Sequence, residues 1–193
     1  MKIGILGGTF NPIHIGHLIM AEEIREKIGL DKIIFVPTYL PPHKNNTDIA
    51  PAWDRYRMIK LAIKRNPFFL VSDFEIKKDG LSYTIDTIKE FKKVYPKDDL
   101  YFLIGSDLLK YLDDWKDLPE ILQMVKFIVA TRPGYPLEKI PAYISTMEIR
   151  AVDVSAFEVR QCIKNKKSFR YLVPEAVFRY INKNKLYIYR DGS

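Results

Sequence analysis

The sequence predicts an α/β fold, a parallel sheet flanked by helices. Two observations point to it. Apolar runs of strand length alternate along the chain with segments whose apolar residues recur at helical spacing. The longest apolar runs, such as 33–36 and 68–71, are strand-sized and far too short to span a membrane. Strand–helix–strand units imply right-handed crossovers, so the strands run parallel and a ligand belongs at their carboxyl ends.

The elements follow in order. Residues 2–6 read as a buried strand that runs into Gly7-Gly8-Thr9-Phe10-Asn11-Pro12-Ile13-His14-Ile15-Gly16-His17. Leu18, Ala21, Ile24 and Ile28 then mark a helix. Residues 32–37 form the second strand, and 38–46, with Pro41-Pro42-His43-Lys44, a loop at the ligand end. Pro51 opens a helix over 51–66, with Met58, Leu61 and Ala62 facing inward. Residues 68–72 are the third strand. Thr84 reads as the N-cap of a helix that buries Ile88 and Phe91. The fourth strand, 100–104, ends in Gly105-Ser106-Asp107, where Asp107 serves a ligand hydroxyl, caps a helix, or does both. Trp115 follows a short helical segment and is either a core plug or a stacking platform. Residues 126–131 are the fifth strand, Arg132-Pro133-Gly134 a turn, 135–145 a loop or short edge segment, and 147–152 the last core strand. Ser155 caps a helix that carries Arg160, and Pro174 opens a C-terminal helix with Val177, Tyr180 and Ile181 on one face. No linker, repeat or low-complexity segment interrupts residues 1–193, which read as one domain.

The opening stretch carries the chemistry. Glycines between a strand and a helix let the backbone turn sharply and approach a ligand. The helix N-terminus offers N–H groups and a partial positive charge to phosphate. His14 and His17, three apart, can point toward one anion. The stretch lacks the lysine and hydroxyl of a P-loop and the glycine spacing of a dinucleotide fingerprint.

Composition sets the bounds. A chain of 193 residues with a net charge of +7 favours anionic partners, either small phosphorylated substrates or nucleic acid. Cys162 is the only cysteine and no apolar leader core follows Met1-Lys2, so a cytoplasmic location and no membrane partner are expected.

The stretch Gly8-Thr9-Phe10-Asn11-Pro12-Ile13-His14-Ile15-Gly16-His17 resembles the His-x-Gly-His signature of the nucleotidyltransferase superfamily, which has a Rossmann-like fold. Pro41-Pro42-His43-Lys44, Ser82-Tyr83-Thr84-Ile85-Asp86-Thr87, Ile104-Gly105-Ser106-Asp107, Trp115, Thr131-Arg132-Pro133-Gly134 and Tyr171-Leu172-Val173-Pro174 follow in the order seen in bacterial nicotinate-nucleotide adenylyltransferases. The resemblance implies adenylyl transfer from ATP, as a substrate with Mg2+, to nicotinate mononucleotide. It implies that Gly7, Gly8, Thr9, Phe10, His14, His17, Gly105, Asp107, Ser155 and Arg160 hold ATP. His14, His17, Lys44 and Arg160 neutralise developing charge. Lys44, the Tyr83–Thr84 backbone and Trp115 receive the acceptor, Trp115 by stacking on the pyridine ring. No protein-held metal is implied. One departure stands out: where the family has Ile-Ser-Ser-Thr-x-Ile-Arg, this chain has Val154-Ser155-Ala156-Phe157-Glu158-Val159-Arg160 and lacks two hydroxyls.

Three rival readings remain. Nicotinamide mononucleotide or phosphopantetheine could be the acceptor instead. His14, His17 and His43 could hold a hydrolytic zinc, although the glycine turn then has no purpose. Aromatics among basic residues over 164–189 could stack nucleic-acid bases, although Tyr180 and Ile181 fit helix packing better, so no nucleic-acid partner is expected. Oligomeric state is not legible in the sequence.

Overall fold

The computed structural model describes residues 1–41, 48–131, 140–150 and 152–188. Lys44 with its neighbours Pro42 and His43, the Arg132-Pro133-Gly134 turn and the Asp107 side chain lie outside that description. The strands are β1 (Lys2–Gly8), β2 (Lys32–Pro37), β3 (Phe69–Val71), β4 (Asp99–Gly105), β5 (Lys126–Thr131) and β6 (Ile144–Glu148). All pair in parallel, in the order β3-β2-β1-β4-β5-β6. The chain therefore runs outward from β1 on one side and from β4 on the other. The crevice outside the carboxyl ends of β1 and β4 is the switch point where such sheets bind ligands.

Alternation along the strands divides the core in two. Leu6, Phe35, Leu103 and Ile128 face α1 (Ile15–Ile28), α2 (Ala52–Ile63), α6 (Ala156–Lys164) and α7 (Glu175–Asn184). Ile5, Val36, Phe102 and Phe127 face α4 (Thr84–Val94) and α5 (Leu118–Met124). Helix α7 packs back through Val177 and Ile181, and the Tyr180 hydroxyl donates to Asp54 of α2 at 2.6 Å.

Several expectations are corrected. The last strand is Ile144–Glu148 rather than 147–152, and it is an edge strand with mostly exposed residues. Parallel pairing with β5 fixes it, since Phe127 lies opposite Ile144 and Thr131 opposite Glu148. Helix α2 ends at Ile63, and its buried stripe is Arg55, Met58, Ile59 and Ile63, with Leu61 only partly covered. Tyr83, not Thr84, is the extended residue before α4. Asp107 does not occupy the N-cap position: Gly105 is the residue before the 3-10 helix Ser106–Asp114, and Asp107 lies inside it. Helix α3 (Phe74–Lys78) has no counterpart in the expected order; its five residues are too few for periodicity to show.

Candidate active site

Strand β1 delivers Gly7 and Gly8 to the carboxyl edge, level with Val36 and Pro37 of β2. A methyl on Gly8 would come within 3.1 Å of the Phe10 ring, so the missing side chain lets Phe10 fold back over the turn. Phe10 does so at φ 47°, in the left-handed region, with its ring buried and edge-on to His17 at 5.0 Å.

His14 is the extended residue preceding α1, and His17 lies in the helix's first turn. Their ring centroids are 3.6 Å apart and their planes 31° apart, so the two imidazoles form one stacked unit. The His14 backbone N–H donates to His17 Nδ1 at 3.2 Å. A nitrogen that accepts carries no proton, so the contact assigns the proton of a neutral His17 ring to Nε2. Not every amide of the first turn is available to an anion, because the Ile15 N–H donates to the Leu172 carbonyl at 3.0 Å.

Helix α6 brings a second N-terminus beside the first. A methyl on Gly16 would lie 3.4 Å from the Val154 carbonyl oxygen, so the two helix starts nearly touch. Ser155 caps α6 as expected, its hydroxyl accepting the Glu158 N–H at 3.1 Å. Arg160 reaches back to the glycine turn and donates through Nη1 to the Asn11 carbonyl at 2.7 Å. Phe157, at a position where the family has a hydroxyl, is 62 % exposed, with the Arg160 guanidinium 6.0 Å from its ring.

Tyr83 and Trp115, two other expected site residues, lie on the opposite face of the sheet. Both are partly buried against the second core, and Lys116 Nζ sits 4.8 Å over the Tyr83 ring. Trp115 packs edge-on to Phe102 at 5.7 Å and tilted to Phe127 at 6.0 Å, which leaves part of the indole uncovered. Core contact and ligand stacking are therefore compatible. Thr87 faces inward, its hydroxyl donating to Glu75 at 2.5 Å.

Sequence reasoning missed three polar residues beneath these turns: Asn11, Arg55 and Glu75, all buried. The one available signal was Arg55, an arginine three residues before Met58 on the apolar stripe of its helix. Among the described residues, no group of three or more His, Cys, Asp or Glu side chains is placed to hold a metal ion, and no helix is long and apolar enough to cross a membrane.

A histidine pair at a helix N-terminus on the switch point is the arrangement of a nucleotidyltransferase, and the family model described as cytidylyltransferase-like matches residues 5–161. Curated relatives narrow the class. The chain is 43 % identical to the nicotinate-nucleotide adenylyltransferase of Bacillus subtilis, covering 96 % of this chain and 98 % of that one. It is 42 % identical to a probable nicotinate-nucleotide adenylyltransferase of Desulfitobacterium hafniense, over 96 % and 95 % of the two chains. The fold is shared with the Plasmodium falciparum nicotinic acid mononucleotide adenylyltransferase complexed with NaAD, at a TM-score of 0.78 and 21 % identity over 96 % and 97 % of the chains. The chain belongs to the nicotinate-nucleotide adenylyltransferase family.

Proposed function

We propose that this protein transfers the adenylyl group of ATP to nicotinate mononucleotide, giving nicotinate adenine dinucleotide and pyrophosphate for NAD biosynthesis. The observation that carries the reading is the stacked His14–His17 pair at the start of α1, with Arg160 reaching the same turn. A phosphate oxygen of the mononucleotide attacks the α-phosphorus of ATP in line. The bond from that phosphorus to the bridging oxygen breaks, and pyrophosphate leaves with the electron pair. The reaction needs no protein nucleophile, only alignment of two anions and neutralisation of charge that grows in the transition state.

Each residue then has a task. Gly7, Gly8, Thr9 and Phe10 let the triphosphate approach the backbone. The His17 Nε2–H and the His14 imidazole stabilise the transferring phosphoryl group, and Arg160 and Lys44 balance the outer charges. Ser155 fixes the start of α6 beside them. Gly105 and Asp107, at the end of β4, serve the adenosine. The backbone at Tyr83 and Thr84 meets the nicotinate carboxylate while Trp115 stacks on the pyridine ring. Magnesium would be supplied with ATP and would help neutralise phosphate charge, held chiefly by phosphate oxygens and water rather than by protein carboxylates. Residues 1–193 act as one domain, and the tail aromatics serve packing, as the Tyr180–Asp54 bond and buried Ile181 support. The test is pyrophosphate release with ATP and magnesium against nicotinate mononucleotide, nicotinamide mononucleotide, phosphopantetheine and FMN. The first should be preferred; no release with any of the four from folded protein overturns the reading.

A further inference from the structure

Among the described residues, Arg55 heads the fully buried side chains by size, at 1 % exposure. Its guanidinium donates to three main-chain carbonyls: Thr9 at 2.8 Å, Ala50 at 2.9 Å and Tyr39 at 3.0 Å. These belong to the glycine turn after β1, the residue before the Pro51 N-cap of α2, and the exit of β2. Among the described residues no carboxylate forms an ion pair with it. Burial pulls its pKa down to about 10, so it is still charged at neutral pH. A buried guanidinium without an ion pair is costly, and an apolar side chain would fill the same space more cheaply. What an apolar side chain cannot do is join three backbone segments.

The joined segments lead to the two halves of the site. Thr9 lies in the turn that ends at His14 and His17. The Tyr39 N–H donates to the Ser82 hydroxyl at 2.9 Å, and the Ser82 N–H donates to the Leu40 carbonyl at 3.0 Å. Ser82 immediately precedes the Tyr83–Thr84 turn. Asn11 reinforces the tie, donating to the Asp48 carbonyl at 2.8 Å and accepting the Ala50 N–H at 3.0 Å. A continuous polar path thus runs from the phosphate turn through Arg55 and Tyr39 to Ser82 and the acceptor turn.

We infer that Arg55 is a positioning residue for adenylyl transfer, holding the phosphate turn and the acceptor turn at the separation that in-line attack requires. The inference rests on the adenylyl-transfer reading above. Each turn keeps its own contacts to its own substrate, so loosening the tie spoils alignment more than binding.

Arg55→Lys keeps the charge but cannot reach three carbonyls, and Ser82→Ala cuts the next link with a smaller perturbation. In folded protein assayed well below its melting temperature, Arg55→Lys should lower kcat by about 10- to 100-fold, with KM for ATP and for nicotinate mononucleotide each within about threefold of wild type. Ser82→Ala should move kcat in the same direction by less, and it decides the matter if Arg55→Lys does not fold. Wild-type kcat in either folded variant, or a raised KM with kcat intact, overturns the inference. Amide hydrogen exchange reads the tie without turnover. In the variants it should quicken around residues 9–10, 39–40 and 82–83 while β1 and β4 stay protected; uniform quickening would reduce Arg55 to general stability. A wild-type protein inactive toward every acceptor refutes the activity reading, and exchange alone then judges the tie.

Discussion

The backbone N–H of His14 donates to Nδ1 of His17 at 3.2 Å, and this one bond orients the second imidazole at the start of α1. Because Nδ1 accepts, the proton of a neutral His17 imidazole belongs on Nε2. Stacking on His14 and the edge of Phe10 fix the plane of the ring. A donor held in place costs no reorganisation when charge develops on the transferring group.

His17→Ala should therefore lower kcat by about a hundredfold or more while the affinity for ATP changes little. Single-turnover kinetics beside equilibrium ATP binding separates the two effects. Lost ATP binding with unimpaired turnover in the residual complex would make His17 a ground-state anchor instead.

Gly16→Ala tests the packing beneath the pair. In an exposed helix this change stabilises by about 1 kcal/mol. Here the added methyl lies 3.1 Å from His14 Nδ1 and 3.4 Å from the Val154 carbonyl, so the imidazole must move by a few tenths of an ångström. The melting temperature should stay near that of wild type while kcat drops about tenfold, because misplacement at the reacting centre is expensive even when the fold absorbs it. Undiminished kcat would show that His14 can shift without consequence.

Selectivity for the acid over the amide mononucleotide should be at least about tenfold in kcat/KM, roughly the worth of one charge-assisted hydrogen bond. If the Tyr83–Thr84 turn receives the ring substituent, its N–H groups would favour a carboxylate, whereas the NH2 of an amide would face donors. Stacking by Trp115 would be indifferent to the substituent, since both rings present a similar face. Because Trp115 also packs on Phe102 and Phe127, Trp115→Phe is the cleaner change: it should weaken both substrates by similar factors and keep their ratio. Equal efficiency of the wild-type enzyme with both mononucleotides would exclude this role for the Tyr83–Thr84 turn.

Glu75 gives the stability curve a sign. Burial raises its pKa above the ordinary glutamate range, while hydrogen bonds from Ser82 and Thr87 and the charges of Lys78 and Arg55 pull the other way. A folded-state pKa above the unfolded one favours the protonated acid in the fold. The associated stability is full at pH below the unfolded value and is lost as pH rises through the folded value. Glutamine stays neutral and still presents an oxygen to the Thr87 hydroxyl. The melting temperature of Glu75→Gln relative to wild type should thus climb from acidic toward neutral pH and then level off. A flat or falling difference would mean that Glu75 is ionised in the fold at no cost.

Local chemistry alone determined much of this protein. Strands β2 and β5 have the bounds that their apolar runs mark, because a strand buried on both faces needs a continuous apolar stretch. The start of α1 at His14 and the cap at Ser155 were equally legible, since helix termini are written in neighbouring residues. Tertiary structure alone decided the rest. Arg160 meets the Asn11 carbonyl across 149 residues of sequence, and the Ile15 amide finds Leu172 near the other end of the chain. Arg55 sits on an apolar stripe because three carbonyls await it there, and β6 begins at Ile144 because β5 sets its register. Periodicity encodes which side of an element is covered; it carries nothing about which distant backbone group will be the partner, and that choice is made only when the sheet brings the loops together.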